Sequence, residues 1–273
     1  MSENTSSQPS QNNAAKTALK KHGKRLFLLL LIATLLDHGP VVLLDTLSFS
    51  ESTARLFPSA AKLLVLTDSA LSFIMPLGVQ QLYLCCLRDE TPTLSDLFIG
   101  FQHPQRTAGN ELLYTLRMLV VGIICMIPML ICFSDAASAP ADQDISSLFY
   151  AGIVFAAMSG IILYSYLLYY LPHRLILLLH PEMNAIESQR HTHSLMINHR
   201  WQLFWRLRLP AILSAALIYA PALLAIYHFR DEYPVILCTA AILYLPARMY
   251  FNAKTAEYIL QLHSAISPGE VAE

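Results

Sequence analysis

Six long apolar stretches dominate this sequence and restrict what it can fold into. Each reaches the roughly 20 residues that a helix needs to cross the hydrocarbon core of a bilayer. Within lipid only a helix or a closed barrel satisfies its own backbone, and the stretches show no strand-like alternation. We therefore predict an all-α fold, a polytopic membrane helix bundle with about six transmembrane helices. The predicted spans are residues 26–47, 60–87, 112–133, 148–171, 207–229 and 233–250.

The composition supports a membrane protein and excludes other classes. Hydrophobic residues make up 55% of the 273 residues and charged residues only 14%, whereas soluble domains carry about 25% charged residues. The net charge of -1 gives no field that would attract a polyanion, so we expect no nucleic-acid partner. The 5 cysteines are dispersed and predict no disulfide framework.

The distribution of basic residues predicts the orientation. Of the 18 Lys and Arg residues, all but Arg55, Lys62 and Arg230 fall on one side of the predicted spans. Cytoplasmic loops carry such an excess, so both termini are expected in the cytoplasm. We expect a disordered cytoplasmic tail over residues 1–15, a single six-span membrane domain over 16–263 and a flexible C-terminal tail over 264–273.

Two predicted cytoplasmic loops carry the patterns of short surface helices. In the second loop Thr93 or Ser95 can cap a helix, and an apolar face follows at i, i+3, i+4 and i+7. This pattern is typical of an amphipathic helix that lies on the inner membrane face. The residues of that face are Leu94, Leu97, Phe98 and Phe101.

The fourth loop predicts a second surface helix with defined ends. Asn184 and Glu187 have the spacing of a capping box at its start. We expect the helix to run to about Ile197. Asn198 is then predicted to adopt the left-handed conformation that commonly ends a helix. The histidines of this helix, His191 and His193, point about 200° apart, so no metal site is predicted.

Three segments of the chain resemble the signatures of a known family. They are Ser95-Asp96-Leu97-Phe98-Ile99-Gly100-Phe101, then His180-Pro181-Glu182 with its continuation to Glu187, then Leu195 to Phe204. In this order they resemble the domain-of-unknown-function 975 family of bacterial polytopic membrane proteins, over about residues 78–251. His180 stands where the family typically has Asn, and Asn198 where it has Gly. The resemblance implies a bacterial multi-pass protein, but no activity and no catalytic residue.

Asp37 and His38 are the candidate site residues of the first span. Twelve residues beyond Arg25 place Asp37 about 18 Å deep, near the middle of a core about 30 Å thick. An ionisable pair at that depth is a functional hypothesis by default. Gly39-Pro40 follows and is predicted to break the helix, as in transporters that bind ligand at discontinuous helices. The alternative is that the helix ends earlier and leaves Asp37 in a turn reached by water.

The sequence contains no nucleotide-binding, hydrolase or metalloprotease motif, so we predict no catalytic residue, no cofactor and no metal. The preferred interpretation is a non-enzymatic multi-pass protein of the bacterial cytoplasmic membrane, a scaffold or accessory in envelope or lipid processes. Its expected partners are the lipid bilayer and proteins at the cytoplasmic face. One alternative is a small transporter or permease that uses Asp37 at a broken first span. The other is an intramembrane enzyme with Asp37 and His38 as an acid–base pair.

Overall fold

The computed structural model describes residues 14–48, 58–138, 146–208 and 233–266. These residues form helices and connecting turns, with no strand among them, which confirms the all-α class. Residues 99–101 form a short 3-10 helix and residues 200–208 are also helical. The main helices are α1 (Ala14–Ser48), α2 (Pro58–Leu87), α3 (Leu94–Leu97), α4 (Pro104–Ser138), α5 (Ser146–Tyr170), α6 (His173–Leu179), α7 (Ala185–Met196) and α8 (Tyr233–Ile266).

Three of the described helical stretches are long and apolar enough to cross a membrane, namely Val65–Leu87, Pro104–Asp135 and Tyr150–Leu179. They coincide with the second, third and fourth predicted spans. Most of the fifth predicted span, residues 207–229, lies outside the described residues. Helices α1 and α8 cover the first and sixth predicted spans, and α8 continues past the sixth to Ile266.

Helix α1 is continuous from Ala14 to Ser48, so the predicted break at Gly39-Pro40 is wrong. A proline removes one backbone hydrogen bond, here the donor to the carbonyl of Leu36, and its ring crowds the preceding turn. A helix can absorb that loss as a local bend when the residues on both sides keep helical dihedral angles. The loss of one hydrogen bond thus does not end α1 at Pro40.

The described residues divide into two compact units. The terminal unit comprises Met1–Pro104 and Leu203–Glu273, and the central unit comprises Gln105–Gln202. In the terminal unit α1 packs on α2 and α8, and α3 packs on α2. The Ala15 N–H, in the first turn of α1, donates to the Glu257 carboxylate of α8 over 3.2 Å, a favourable place for a negative charge.

Gly78 explains how α3 approaches α2 so closely. A Cβ atom at Gly78 would overlap the backbone carbonyl of Leu97, whose side chain is completely buried. Thr93 caps α3, and its backbone N–H and its hydroxyl both donate to Asp96, over 2.7 and 2.6 Å. The expected single apolar face is wrong, because α3 is only one turn long and Leu97 points inward. The rest of that predicted face, Leu94, Phe98 and Phe101, stays exposed.

Helix α7 begins as the sequence predicts and ends differently. Asn184 Oδ1 accepts hydrogen bonds from the N–H groups of Ile186 and Glu187, and Glu187 Oε2 accepts from the Asn184 N–H over 3.1 Å, which confirms the capping box. The predicted left-handed conformation of Asn198 is wrong. In the described part of the chain the non-glycine residue with a positive φ is Asp89, with a φ of 64°. The chain leaves α7 through a right-handed turn closed by the His199 N–H on the Met196 carbonyl over 3.1 Å.

Candidate functional site

A cluster of buried polar side chains lies in the central unit, where the first turns of α4 face α6 and α7. Each of these side chains is at most 4% exposed. Buried polar groups are costly unless they are hydrogen-bonded, so their partners show what the cluster does. The members are Thr107, Asn110, Glu111, His173, Ser188, Gln189 and Thr192.

Glu111 is the charged centre of this cluster. Its Oε1 lies 2.7 Å from Nε of Arg174, and its Oε2 lies 2.8 Å from Nη2 of the same guanidinium. The Nε2 atom of His173 lies 3.1 Å from the same Oε1. The carboxylate thus receives a two-armed guanidinium contact, which is among the strongest hydrogen-bonded pairs available to a carboxylate. This pairing joins the start of α4 to the start of α6.

The ring of His173 is fixed on three sides. Its Nδ1 lies 2.6 Å from the Tyr170 carbonyl, its Nε2 faces Glu111, and its plane stacks on Tyr114 at a centroid distance of 4.3 Å. Both nitrogens therefore face oxygen acceptors. These two contacts and the stacking on Tyr114 fix the orientation of the imidazole between α4 and α6.

Arg106 closes the other end of α6. Its Nε donates to the Met183 carbonyl over 2.8 Å, and its Nη2 donates to the carbonyls of Leu177 and His180. The last carbonyls of a helix have no helical donor, and a guanidinium can supply several N–H groups in one plane. Arg106 and Glu111 together hold both ends of α6 against the start of α4.

Two buried amides beside this network retain free hydrogen-bonding capacity. Gln189 Nε2 donates to the Asn110 backbone carbonyl over 2.7 Å. The Gln189 Oε1 atom and both polar atoms of the Asn110 side chain find no partner in the part of the chain that the structure describes. Both residues are fully buried. Unpaired buried amides are uncommon and costly, so this is the point of the central unit at which a further polar group would be best accommodated.

The structure places Asp37 on α1 against α2. Its Oδ1 accepts a hydrogen bond from the Ser72 hydroxyl over 2.9 Å, and the side chain is partly exposed. The side chain of His38 lies outside the described residues, so the proposed pairing of Asp37 and His38 stays a prediction. Pro76 lies one turn after Ser72 in α2 and has no N–H, so the Ser72 carbonyl lacks its usual helical donor.

The histidines of the second surface helix make aromatic contacts. His193 stacks on Tyr169 at a centroid distance of 4.8 Å, and His191 lies edge-on to His180 at 5.2 Å. Across residues 14–48, 58–138, 146–208 and 233–266, no three His, Cys, Asp or Glu side chains converge as metal ligands.

Sequence reasoning missed Glu111, His173 and Arg174 altogether, although a usable signal was present. Glu111 directly precedes the third predicted span, and the basic pair directly follows Pro172 at the end of the fourth. Both ends are predicted on the same side of the membrane. Opposite charges at the same end of two consecutive spans therefore predict an ion pair, once the topology is drawn.

No protein-family model, no curated protein and no solved structure matches this chain. The family resemblance therefore stays a prediction that rests on its three sequence segments. What the chain does has to follow from its own geometry.

Proposed function

We propose that this chain is a non-enzymatic multi-pass protein of the bacterial cytoplasmic membrane that serves as a scaffold or accessory in envelope or lipid processes. The observation that supports this most directly is the Glu111 network. The carboxylate is bound by Arg174 and His173, so its charge holds helices together and is not presented to a substrate. A closed ion network of this kind favours a structural role for the most buried charges of the central unit.

Exposed apolar surface supports placement in a bilayer. The most apolar 18-residue window of Pro104–Asp135 has a mean hydropathy of 2.5, and none of that window is buried within the protein. Soluble proteins rarely expose an apolar patch of that extent, whereas lipid covers it without cost. Its exposed side chains include Leu116, Leu119, Ile123, Ile124 and Ile127.

We further propose six spans with both termini in the cytoplasm, and membership of the domain-of-unknown-function 975 family. The bias of basic residues supports the orientation, and the order of the three sequence segments supports the family. Trp201 and Trp205 agree with this orientation, because both are exposed and would lie at the inner interface, where tryptophan is enriched.

Cysteine labelling tests the topology. In a background without native cysteines, a membrane-impermeant reagent added outside should label a cysteine at position 139 and leave cysteines at positions 102 and 193 unmodified. Labelling at all three positions after permeabilisation is the control. Modification of position 193 from outside would overturn the orientation.

Co-purification from native membranes tests the accessory role. The full-length protein should retain specific lipids or envelope proteins after mild solubilisation, and the set should survive substitution of Asp37 by Asn. A protein that retains neither, and that catalyses flux in liposomes, would overturn the accessory role.

Transport is the second candidate, and the surroundings of Asp37 favour it. The Asp37 carboxylate and the Ser72 hydroxyl meet between α1 and α2, and Pro76 leaves the backbone carbonyl of the same serine without its helical donor. Oxygen groups near unpaired backbone are typical of cation and proton sites in transporters. Asp37→Asn should then abolish flux in liposomes without lowering the melting temperature, whereas Lys62→Gln, at an exposed site on α2, should leave flux unchanged. Equal flux in both variants would exclude this candidate.

A further inference from the structure

A groove of about 450 Å³ runs between α1 and α8 in the terminal unit. It is open along one side and lies within the size range of small-molecule sites. With the exception of one lysine, its lining is apolar. The lining residues are Leu19, Gly23, Lys24, Phe27, Pro246 and Met249.

The floor of the groove follows from helical spacing on α1. Leu19, Gly23 and Phe27 recur every fourth residue and therefore share one side of the helix. A Cβ atom at Gly23 would meet no other atom within 4 Å. The missing side chain at Gly23 thus leaves open space between two larger apolar residues, and this space is what gives the groove its depth.

A row of lysines borders this floor. Lys16, Lys20 and Lys24 repeat with the same spacing, about 60° around the helix from the apolar row, and all three are exposed. Their side chains form no ion pair with any residue that the structure describes. The nearby acidic groups already have partners, since Asp89 binds Lys21 over 2.5 Å and Glu257 binds Lys254 over 2.7 Å.

We propose that this groove binds an anionic phospholipid of the inner leaflet, with one acyl chain along Leu19, Gly23 and Phe27 and the phosphate at Lys20 and Lys24. An apolar channel and an adjacent row of unpaired cations match the two parts of such a lipid. The inference rests on the membrane placement and orientation proposed above, which put the basic end of α1 at the cytoplasmic surface. Basic pockets between helices on that side suit anionic headgroups.

Native mass spectrometry of the full-length protein tests the groove. Purified protein is mixed with phosphatidylglycerol or with phosphatidylcholine of the same chain length, and the retained lipid is counted. The wild type should keep one phosphatidylglycerol in preference to phosphatidylcholine. Soluble glycerol phosphate should not displace it, because a headgroup alone does not fill the apolar channel.

Two kinds of variant separate the two halves of the site. Gly23→Leu should fill the channel and weaken phosphatidylglycerol binding about tenfold, or by about 1.4 kcal/mol. Lys20→Gln with Lys24→Gln should remove the preference for the anionic lipid. Gly160→Leu on α5 and Lys62→Gln on α2 are the matched controls, since Gly160 also has nothing within 4 Å and Lys62 is exposed. Both controls should bind as the wild type does.

Three results would overturn the proposal: equal retention of the two lipids by the wild type, unchanged binding in Gly23→Leu, or an equal loss in Gly160→Leu. The melting temperature of each variant is recorded first, so that a loss of binding is scored only for folded protein. Gly23→Ala replaces Gly23→Leu if the latter does not fold.

The cysteine-labelling experiment separates the proposed orientation from the proposed lipid-binding groove. Labelling as expected, together with no preference for phosphatidylglycerol, would overturn only the lipid-binding groove. Labelling from the opposite side would overturn the proposed orientation on which the groove rests.

Discussion

The carboxylate of Glu111 and the guanidinium of Arg174 meet side by side, with Nε 2.7 Å from Oε1 and Nη2 2.8 Å from Oε2. Glu111 is only 4% exposed, so little water screens the pair. The two residues belong to different helices, α4 and α6, and this contact fixes the position of the start of α6 along α4.

Removing the charge of Glu111 should destabilise the protein strongly. Glu111→Gln leaves Arg174 and His173 without their anion, and breaking a buried pair by changing one partner costs about 3–5 kcal/mol. We expect a clear drop in the melting temperature in detergent. Glu182→Gln, which changes an exposed carboxylate bonded to His180, should have little effect. Similar melting of the two variants would contradict a structural role for Glu111.

The double variant Glu111→Leu with Arg174→Met adds a sharper test of the same pair. Replacing both partners of a buried ion pair by apolar residues is often neutral or stabilising. The double variant should therefore be more stable than Glu111→Leu or Arg174→Met alone. The coupling energy of the pair is the destabilisation of the double variant minus the summed destabilisations of these two single variants.

Gly78→Ala should destabilise the terminal unit. The new Cβ would overlap the Leu97 carbonyl, so α3 has to move away from α2, and overpacking of this kind costs about 1–3 kcal/mol. Gly23→Ala is the matched control. It lies in a helix with open space around it, so it should stabilise by up to about 1 kcal/mol through helix propensity alone. A Gly78→Ala protein that melts with the wild type would show that the close approach is not required.

The pairing of Asp89 should make a small contribution to stability that depends on pH. The hydrogen bond from Lys21, followed by the one from His22, holds the pKa of Asp89 below its ordinary value of 3.8. Because the pKa of Asp89 is lower in the folded than in the unfolded state, its carboxylate stabilises the folded state at any pH above the unfolded pKa. This contribution is lost as the pH falls through the folded pKa.

Melting of the wild type and of Asp89→Asn therefore needs to be compared between about pH 5 and pH 2.5. At about pH 5 the wild type should have a higher melting temperature than Asp89→Asn, and this difference in melting temperature should disappear below pH 3.8. Because the pair is exposed, salt should also narrow the gap. A gap that widens as the pH falls would contradict the ion pair.

Asn184→Ala should loosen the first turn of α7. The amide oxygen accepts two backbone N–H groups, and loss of an N-cap side chain costs about 1 kcal/mol. The measurement is hydrogen exchange at the amides of Ile186 and Glu187, which should become faster in the variant. Asn198→Ala serves as the control, because Asn198 lies in a right-handed turn and should tolerate the change.

Features that depend on a few consecutive residues could be predicted from the sequence. An apolar run of about 20 residues has essentially one solution in lipid, and helices long and apolar enough to cross a membrane do overlap the second, third and fourth predicted spans. The capping box at Asn184 is also local, because both of its residues lie within one turn. The predicted break at Pro40 was wrong because a proline costs a helix one backbone hydrogen bond, and that loss alone does not end the helix.

Contacts between distant residues could not be derived in the same way. Glu111 and Arg174 are 63 residues apart, so their pairing can be inferred only after both predicted spans are placed in one topology, and not from either segment alone. Asn198 shows a related limit, since its residue type permits a left-handed conformation without requiring it. The role of Gly78 was missed because it depends on the backbone of Leu97, which belongs to a different helix and lies too close to allow a Cβ at Gly78.

The contacts of Arg106 also have a consequence for the order in which the fold forms during synthesis. The first carbonyl that it binds, that of Leu177, follows it by 71 residues. A ribosome that adds about 5–20 residues per second delivers that carbonyl roughly 4–14 s after the guanidinium has emerged. For that interval the guanidinium at the start of α4 lacks its final acceptors. The hydrogen bonds of Arg106 can therefore form only after α6 and Met183 have been synthesised, so these contacts are made late in the synthesis of the central unit.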